Sequence, residues 1–200
     1  MEFKAFGVSV KISFLLIAML TLFSLYDKTQ ISLCAVFCAI SHELGHIISA
    51  LLLKCQIKEL AFMPFGIRMC LSKPLTLMPT LTRFIVLASG VTVNALCFTV
   101  SFLLLRGFST FSIVHFAIGI FNLLPVRELD GGKLLELCLL HWYNEEKTEN
   151  ICNVISYLTA AIIMILGALV LAVTGYNFSL LITAIYLFVM LIIRQKRLNL

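Results

Sequence analysis

Six apolar runs, at about 8–26, 31–53, 81–105, 111–137, 151–174 and 178–193, take up most of this 200-residue chain. Each is read as a helix able to cross a bilayer, which takes about 20 mainly apolar residues. A chain built this way cannot hide its apolar surface in a core of its own. Its residues are 61% hydrophobic and 12% charged, against about 45–50% and 25% in soluble domains. The pattern predicts an all-α, multi-pass integral membrane protein with six transmembrane helices and a short hairpin or re-entrant loop after the second. Residues 1–200 are read as a single membrane domain, with its core at 31–137 and additional helices in 1–30 and 151–200.

Lys4 and Lys11 precede the first run as in a signal peptide, but no small-residue cleavage site follows before Tyr26. The run is therefore predicted to be a retained membrane helix. The net charge of +5 is read as orientation. Lys and Arg gather on the cytoplasmic side of membrane segments. Lys4, Lys11, Lys54, Lys58, Arg68, Lys73, Arg83, Lys133, Lys147, Arg194, Lys196 and Arg197 fall on one side of the six runs, and Lys28 and Arg106 on the other. Both termini are thus predicted to be cytoplasmic. No basic patch interleaved with aromatics is present, so nucleic acid is set aside as a partner. The lipid bilayer is the implied environment.

The seven cysteines include no CxxC pair and sit mostly in apolar stretches. They are read as small buried hydrophobes. Cys34 and Cys38 do share a helical face with His42 and His46, at spacings of four, which is ordinary helix packing. Between the second and third runs, residues 54–80 are more polar. There Ile57 to Leu71 is predicted to fold as a hairpin around Pro64-Phe65-Gly66. The stretch from His141 to Asn150 is predicted to be a solvated loop, with His141-Trp142 as an interfacial anchor. His115 is read as a boundary or packing residue.

Chemistry concentrates at Ser41-His42-Glu43-Leu44-Gly45-His46, inside the second run. Four residues at about 100° each return two side chains to nearly one face of a helix. His42 and His46 can therefore hold one metal ion, and Glu43 projects close enough to act as a general base. A charged residue at mid-membrane costs about 2.5–3.5 kcal/mol, so it usually faces a functional interior. Catalytic zinc takes three protein ligands and leaves a fourth position open. The deeply placed acid elsewhere is Asp130, in the sequence from Asn122 through Pro125 to Asp130-Gly131-Gly132. Pro125 breaks the fourth run, and Gly131 and Gly132 permit a tight turn or close approach. Glu128 is the second choice of ligand, with neighbouring Arg127 as an ion-pair partner.

The two motifs, His-Glu-Leu-Gly-His and Asn-Leu-Leu-Pro-x-x-x-Leu-Asp-Gly-Gly, together resemble the site-2 protease family of intramembrane zinc metalloproteases. The resemblance implies one zinc held by His42, His46 and Asp130, with Glu43 as general base and Asn122, Pro125, Gly131 and Gly132 shaping the site. Residues 88–94 resemble the family's Ala-Gly-Pro-x-x-Asn element, with Val91 in place of its proline. That resemblance makes Asn94 a catalytic residue, a polar contact to substrate or to the developing oxyanion. The other reading of Asn94 is an interhelical hydrogen bond. Pro64-Phe65-Gly66 resembles a loop of the sporulation-type branch, whose members process a membrane-tethered sigma-factor precursor. Arg127-Glu128 stands where that family more commonly has apolar residues or proline.

The implied activity is hydrolysis of peptide bonds in or near transmembrane segments of membrane-tethered proteins, with membrane regulatory partners where activity is controlled. The alternative is a non-proteolytic zinc-binding adaptor or transporter on a protease-like fold, against which the intact Glu43 argues. A di-iron carboxylate enzyme would need a second Glu-x-x-His unit, which the chain lacks. His46 precedes Lys54 by eight positions, about 12 Å of helix. The metal is therefore predicted to lie nearer the cytoplasmic face.

Overall fold

The computed structural model describes residues 2–5, 8–27, 29, 31–63 and 66–198. The chain divides into two compact units, Met1–Phe121 and Asn122–Leu200.

In the first unit the sequence Val8-Ser-Val-Lys-Ile12 alternates apolar and polar side chains, the period of a strand rather than of a helix. It forms β2 (Val8–Ile12), antiparallel to β1 (Glu2–Ala5). The chain then runs through α1 (Phe14–Tyr26) and α2 (Ile31–Leu52) and returns as β3 (Ile57–Met63) and β4 (Gly66–Leu71). β2 pairs in parallel with β3, Ser9 opposite Glu59 and Ile12 opposite Phe62. Lys11 Nζ reaches Glu59 Oε2 at 2.7 Å across that seam. The sheet order is β1-β2-β3-β4. The first apolar run is thus not one long helix. Its helical part has 13 residues, roughly 20 Å, short of the roughly 30 Å of hydrocarbon. The hairpin expected over Ile57–Leu71 is present as β3 and β4, although Pro64 and Phe65 themselves lie outside the described residues.

Asp27 starts α2. Its carboxylate accepts the Ser32 amide at 2.5 Å and the Thr29 hydroxyl and amide at 2.5 and 2.9 Å. These bonds satisfy an orphan donor of the first helical turn. Thr29, more than Ser32, holds the Asp27 carboxyl well below the usual carboxylate range. At the other end Lys54 takes a left-handed conformation, φ 58°, and Cys55 N–H donates back to Ala50 O at 2.8 Å. Ala50, Cys55 and Val86 form a small core, with Met69, Leu71, Leu75 and Met78 packed on it. A single 3₁₀ turn, Leu75–Leu77, leads to α3 (Thr80–Leu104) and α4 (Thr110–Asn122).

The second unit holds α5 (Asp130–Leu139), α6 (Glu145–Thr174) and α7 (Ser179–Leu198). The fourth apolar run is therefore two helices, separated by residues 123–129 around Pro125. The solvated loop expected to reach Asn150 ends earlier, because Asn144 caps α6 through the Lys147 amide at 3.0 Å. Glu145 and Glu146 then sit in its first turn, where the helix dipole favours negative charge. Among the described residues, three helices are long and apolar enough to cross a membrane: α2, α3 and α6. α4 and α7 are shorter apolar helices. Polar side chains face inward on these helices: Asn94 and Ser101 on α3 and Ser156 on α6 are buried, while Leu96 and Leu158 are exposed. That inversion of the soluble pattern suits helices solvated by lipid, which pack through small and hydrogen-bonding residues.

Candidate metal centre

α2 and α3 approach closely because two glycines leave room. A Cβ at Gly45 would stand 2.8 Å from Ser89 O and 2.9 Å from Val93 Cγ2. At Gly90 it would fall against the Nε2 atoms of His46 and His42, the latter at 2.6 Å. A real Cβ does not fit there, so the absence of one at Gly90 opens the space the two imidazoles occupy.

The imidazoles converge. His42 Nε2 and His46 Nε2 lie 3.2 Å apart, and His42 is 3% exposed. Two nitrogens bound to one tetrahedral zinc, at about 2.0–2.1 Å each, would be about 3.3 Å apart. Each ring is also held from behind. His46 Nδ1 bonds to Val86 O at 2.7 Å, an arrangement that leaves Nε2 as the ligating nitrogen. Ser89 Oγ lies 3.4 Å from the same Nδ1 and accepts from Ser49 Oγ at 2.9 Å. His42 Nδ1 meets the Asn94 side chain, Nδ2 at 3.0 Å. The spacing, the cradle at Gly90 and the donor chemistry all fit a metal ion.

Asn94 is fully buried. Its other amide atom, Oδ1, lies 2.9 Å from His115 Nδ1, so one side chain on α3 joins a residue of α2 to one of α4. Of the two readings of Asn94, the interhelical hydrogen bond is the one the geometry displays. Of the two readings of His115, boundary or packing residue, the structure bears out packing. His115 is fully buried, with Phe111 edge-on at 4.4 Å. Four positions on, a Cβ at Gly119 would come within 3.3 Å of Asn94 Cβ. Glu43 is half-buried, the next residue round α2 from His42. A cleft of about 420 Å³ runs along the seam of α2 and α3, lined by Gly45, Ile48, Ser49, Ala88, Ser89 and Thr92 among others; His42, Glu43 and His46 are not in its lining.

In the second unit Asp130 is the first residue of α5 and is 6% exposed. The dipole of that helix favours its negative charge, and Lys133 Nζ lies 3.5 Å from Oδ1. Gly131 and Gly132 have no space for a Cβ, which would collide with the carbonyls of Leu123 and Val126 respectively. The loop after Asn122 and through Pro125 therefore lies folded tightly over the start of α5. Arg127 fastens it: the buried guanidinium bonds Asn153 Oδ1 at 2.9 Å, Glu136 at 3.3 Å and Glu149 at 3.4 Å. Its backbone N–H donates to Ser156 Oγ at 3.0 Å. Arg127 was expected to pair with its neighbour Glu128, which instead lies 3.7 Å from Arg194. The partners of Arg127 come from α5 and α6 and that of Glu128 from α7, which the local sequence could not disclose.

Among the described residues, the His, Cys, Asp and Glu side chains that could hold a metal ion as a group of three are His42, His46 and Asp130. Neither Glu128 nor Cys38 belongs to that group. All seven cysteines are free thiols.

A sequence model of Peptidase family M50 matches residues 104–166, the stretch that contains Asp130. No curated protein matches the chain. Among solved structures the chain is similar in fold to the Site-2 Protease from Methanocaldococcus jannaschii. The TM-score is 0.67, at 21% identity over 94% of this chain and 91% of that one.

Proposed function

We propose that this chain is an intramembrane zinc metalloprotease of the site-2 protease family, in which His42, His46 and Asp130 hold the metal and Glu43 is the general base. The observation that carries the reading is the convergence of His42 Nε2 and His46 Nε2 at 3.2 Å over a glycine that leaves them room. The family match over 104–166 and the likeness of fold support it.

Bound at these side chains, zinc would supply a Lewis acid that polarises a scissile carbonyl and lowers the pKa of a water beside it. The protein's own residues do the rest. Val86 O holds the His46 ring in one orientation, and Asn94 holds that of His42. Glu43, one residue on from His42, takes a proton from the attacking water and returns it to the leaving amine. The loop fixed by Arg127 presents Asp130 at the start of α5, where the helix dipole favours its negative charge.

A helical substrate shields its carbonyls in internal hydrogen bonds, so its segment must unwind before cleavage. An unwound segment can pair as an added strand on a sheet edge. β4 is an edge of the sheet and joins α2 to α3 in the chain. We place both termini and the sheet on the cytoplasmic side, from the distribution of Lys and Arg. Product would then leave into the cytoplasm, as suits a membrane-tethered transcription factor such as a sigma-factor precursor.

Co-expression with membrane-tethered candidates, a sigma-factor precursor among them, tests the reading. Wild type should release a shortened soluble product and Glu43→Gln should not. Equal release from both would remove the hydrolytic assignment. Zinc without any cleavage would favour the adaptor or transporter.

A further inference from the structure

We propose that Asn94 and His115 form a hydrogen-bond relay that sets which nitrogen of His42 carries its proton, making His115 a positioning residue of the metal centre. The inference rests on the metal reading above and adds a residue to it.

The argument starts from the donors and acceptors of each group. A neutral imidazole has one N–H and one lone pair. If His42 is to give a metal its Nε2 lone pair, its proton must be on Nδ1, and Nδ1–H needs an acceptor. The group at Nδ1 is the Asn94 amide, 3.0 Å away. A primary amide fills the same volume in two orientations and differs only in which end donates. With Nδ2 toward His42, as here, Asn94 donates to Nδ1 and the His42 proton falls on Nε2. That Nε2–H then points at His46 Nε2, 3.2 Å away, while His46 Nδ1–H donates to Val86 O. In that arrangement the Nε2 lone pair of His42 is not available to a metal. With the amide reversed, Oδ1 accepts from His42 Nδ1–H and the Nε2 lone pair is freed.

His115 makes the second orientation available. Its Nδ1, 2.9 Å from the far end of the amide, can donate to Oδ1 or accept from Nδ2, as its own proton moves between Nδ1 and Nε2. Each imidazole keeps one proton in either arrangement, so no charge is created in a fully buried site. A side chain able only to donate, or only to accept, would lock the relay in one direction. His115 Nε2 has no hydrogen-bond partner among the described residues. A phenylalanine would fill the same space without stranding a buried nitrogen, which costs about 1–3 kcal/mol. What a phenylalanine cannot do is hold the Asn94 amide.

The test is zinc(II) affinity of the purified full-length protein in detergent, by competition with a chromophoric chelator. Long-range ¹⁵N–¹H spectra of the imidazoles supply a second readout. His115→Phe should weaken zinc about 10–100-fold, the usual cost of losing a group behind a ligand, and His115→Gln should recover to within about threefold of wild type. Asn94→Asp, which can only accept, should keep zinc and show His42 protonated at Nδ1, whereas Asn94→Leu should lose zinc. Affinity in His115→Phe equal to wild type overturns the relay, as does His115→Gln as weak as His115→Phe, which would mean packing alone. Wild-type protein that fails to bind zinc would instead overturn the metal reading itself, and that failure appears before any variant is made.

Discussion

A Cβ placed on Gly90 would stand 2.6 Å from Nε2 of His42. The smallest side chain after glycine therefore competes directly with the ligating face of the histidine pair. Gly90→Ala should separate α2 from α3 or rotate both rings. A loss of about 1–3 kcal/mol is expected, in the range of overpacked cores, together with loss of zinc. Thermal unfolding and metal analysis on one preparation check both. Retention of stoichiometric zinc would show that the rings accommodate a methyl group and that the cradle is looser than drawn.

Glu43 should separate binding from turnover. Glu43→Gln keeps the shape of the side chain and removes its basicity, so zinc should stay bound while cleavage falls about 10²–10⁴-fold, the usual worth of a general base. Metal content and single-turnover cleavage of a tethered substrate measure the two effects. Loss of zinc in this variant would make Glu43 a ligand.

Asp130→Ala should deplete zinc, and Gly132→Ala should do so indirectly, because its Cβ would collide with Val126 O and displace the start of α5. Metal analysis of the two variants after dialysis against chelator decides. Full zinc in Asp130→Ala would move the third ligand elsewhere.

Arg127 is 3% exposed and ties the loop before Asp130 to α5 and α6. Its carboxylate partners are 29% and 39% exposed, so solvent screens part of each ion pair. Arg127→Met should therefore cost about 1.5–3 kcal/mol in unfolding, the range for hydrogen bonds to charged groups. Denaturant titration in mild detergent gives the value, and a change below about 0.5 kcal/mol, typical of a surface site, would show the loop held by other means.

Acid should loosen the start of α2. The Asp27 carboxyl is held below its ordinary value by Thr29 first and then by Ser32. A depressed carboxylate adds stability that is present above its unfolded pKa, about 3.9, and is lost as pH falls toward the folded value. Melting temperature should thus decline below about pH 4 in wild type, and less steeply in Asp27→Asn. Parallel curves for the two proteins would exclude Asp27 as the cause.

What could be read from sequence was what repeats at short range. His42 and His46 are four residues apart, so one helix suffices to bring them together, and the breaks at Pro125 and Gly131-Gly132 are local chemistry. The hairpin over Ile57–Leu71 was legible for the same reason. The strand at Val8–Ile12 carried its period-two signal but was absorbed into a longer apolar run. Asn94 and His115 were obscure for another reason: they stand 52 and 21 positions from the partners they meet, and only the packing of α2, α3 and α4 decides that meeting. Arg127 was misjudged likewise, since its partners come from helices downstream.

The parallel register of β2 with β3 has a consequence for biogenesis. Parallel neighbours run in one direction, so α1 and α2 together must carry the chain from the end of β2 back to the side on which β3 starts. Ser9 also waits for Glu59. At a ribosomal pace of about 5–20 residues per second, those fifty residues take about 2.5–10 s. Through that interval the β1–β2 hairpin is without its neighbour strand, and the sheet is completed only after α1 and α2 have both been made.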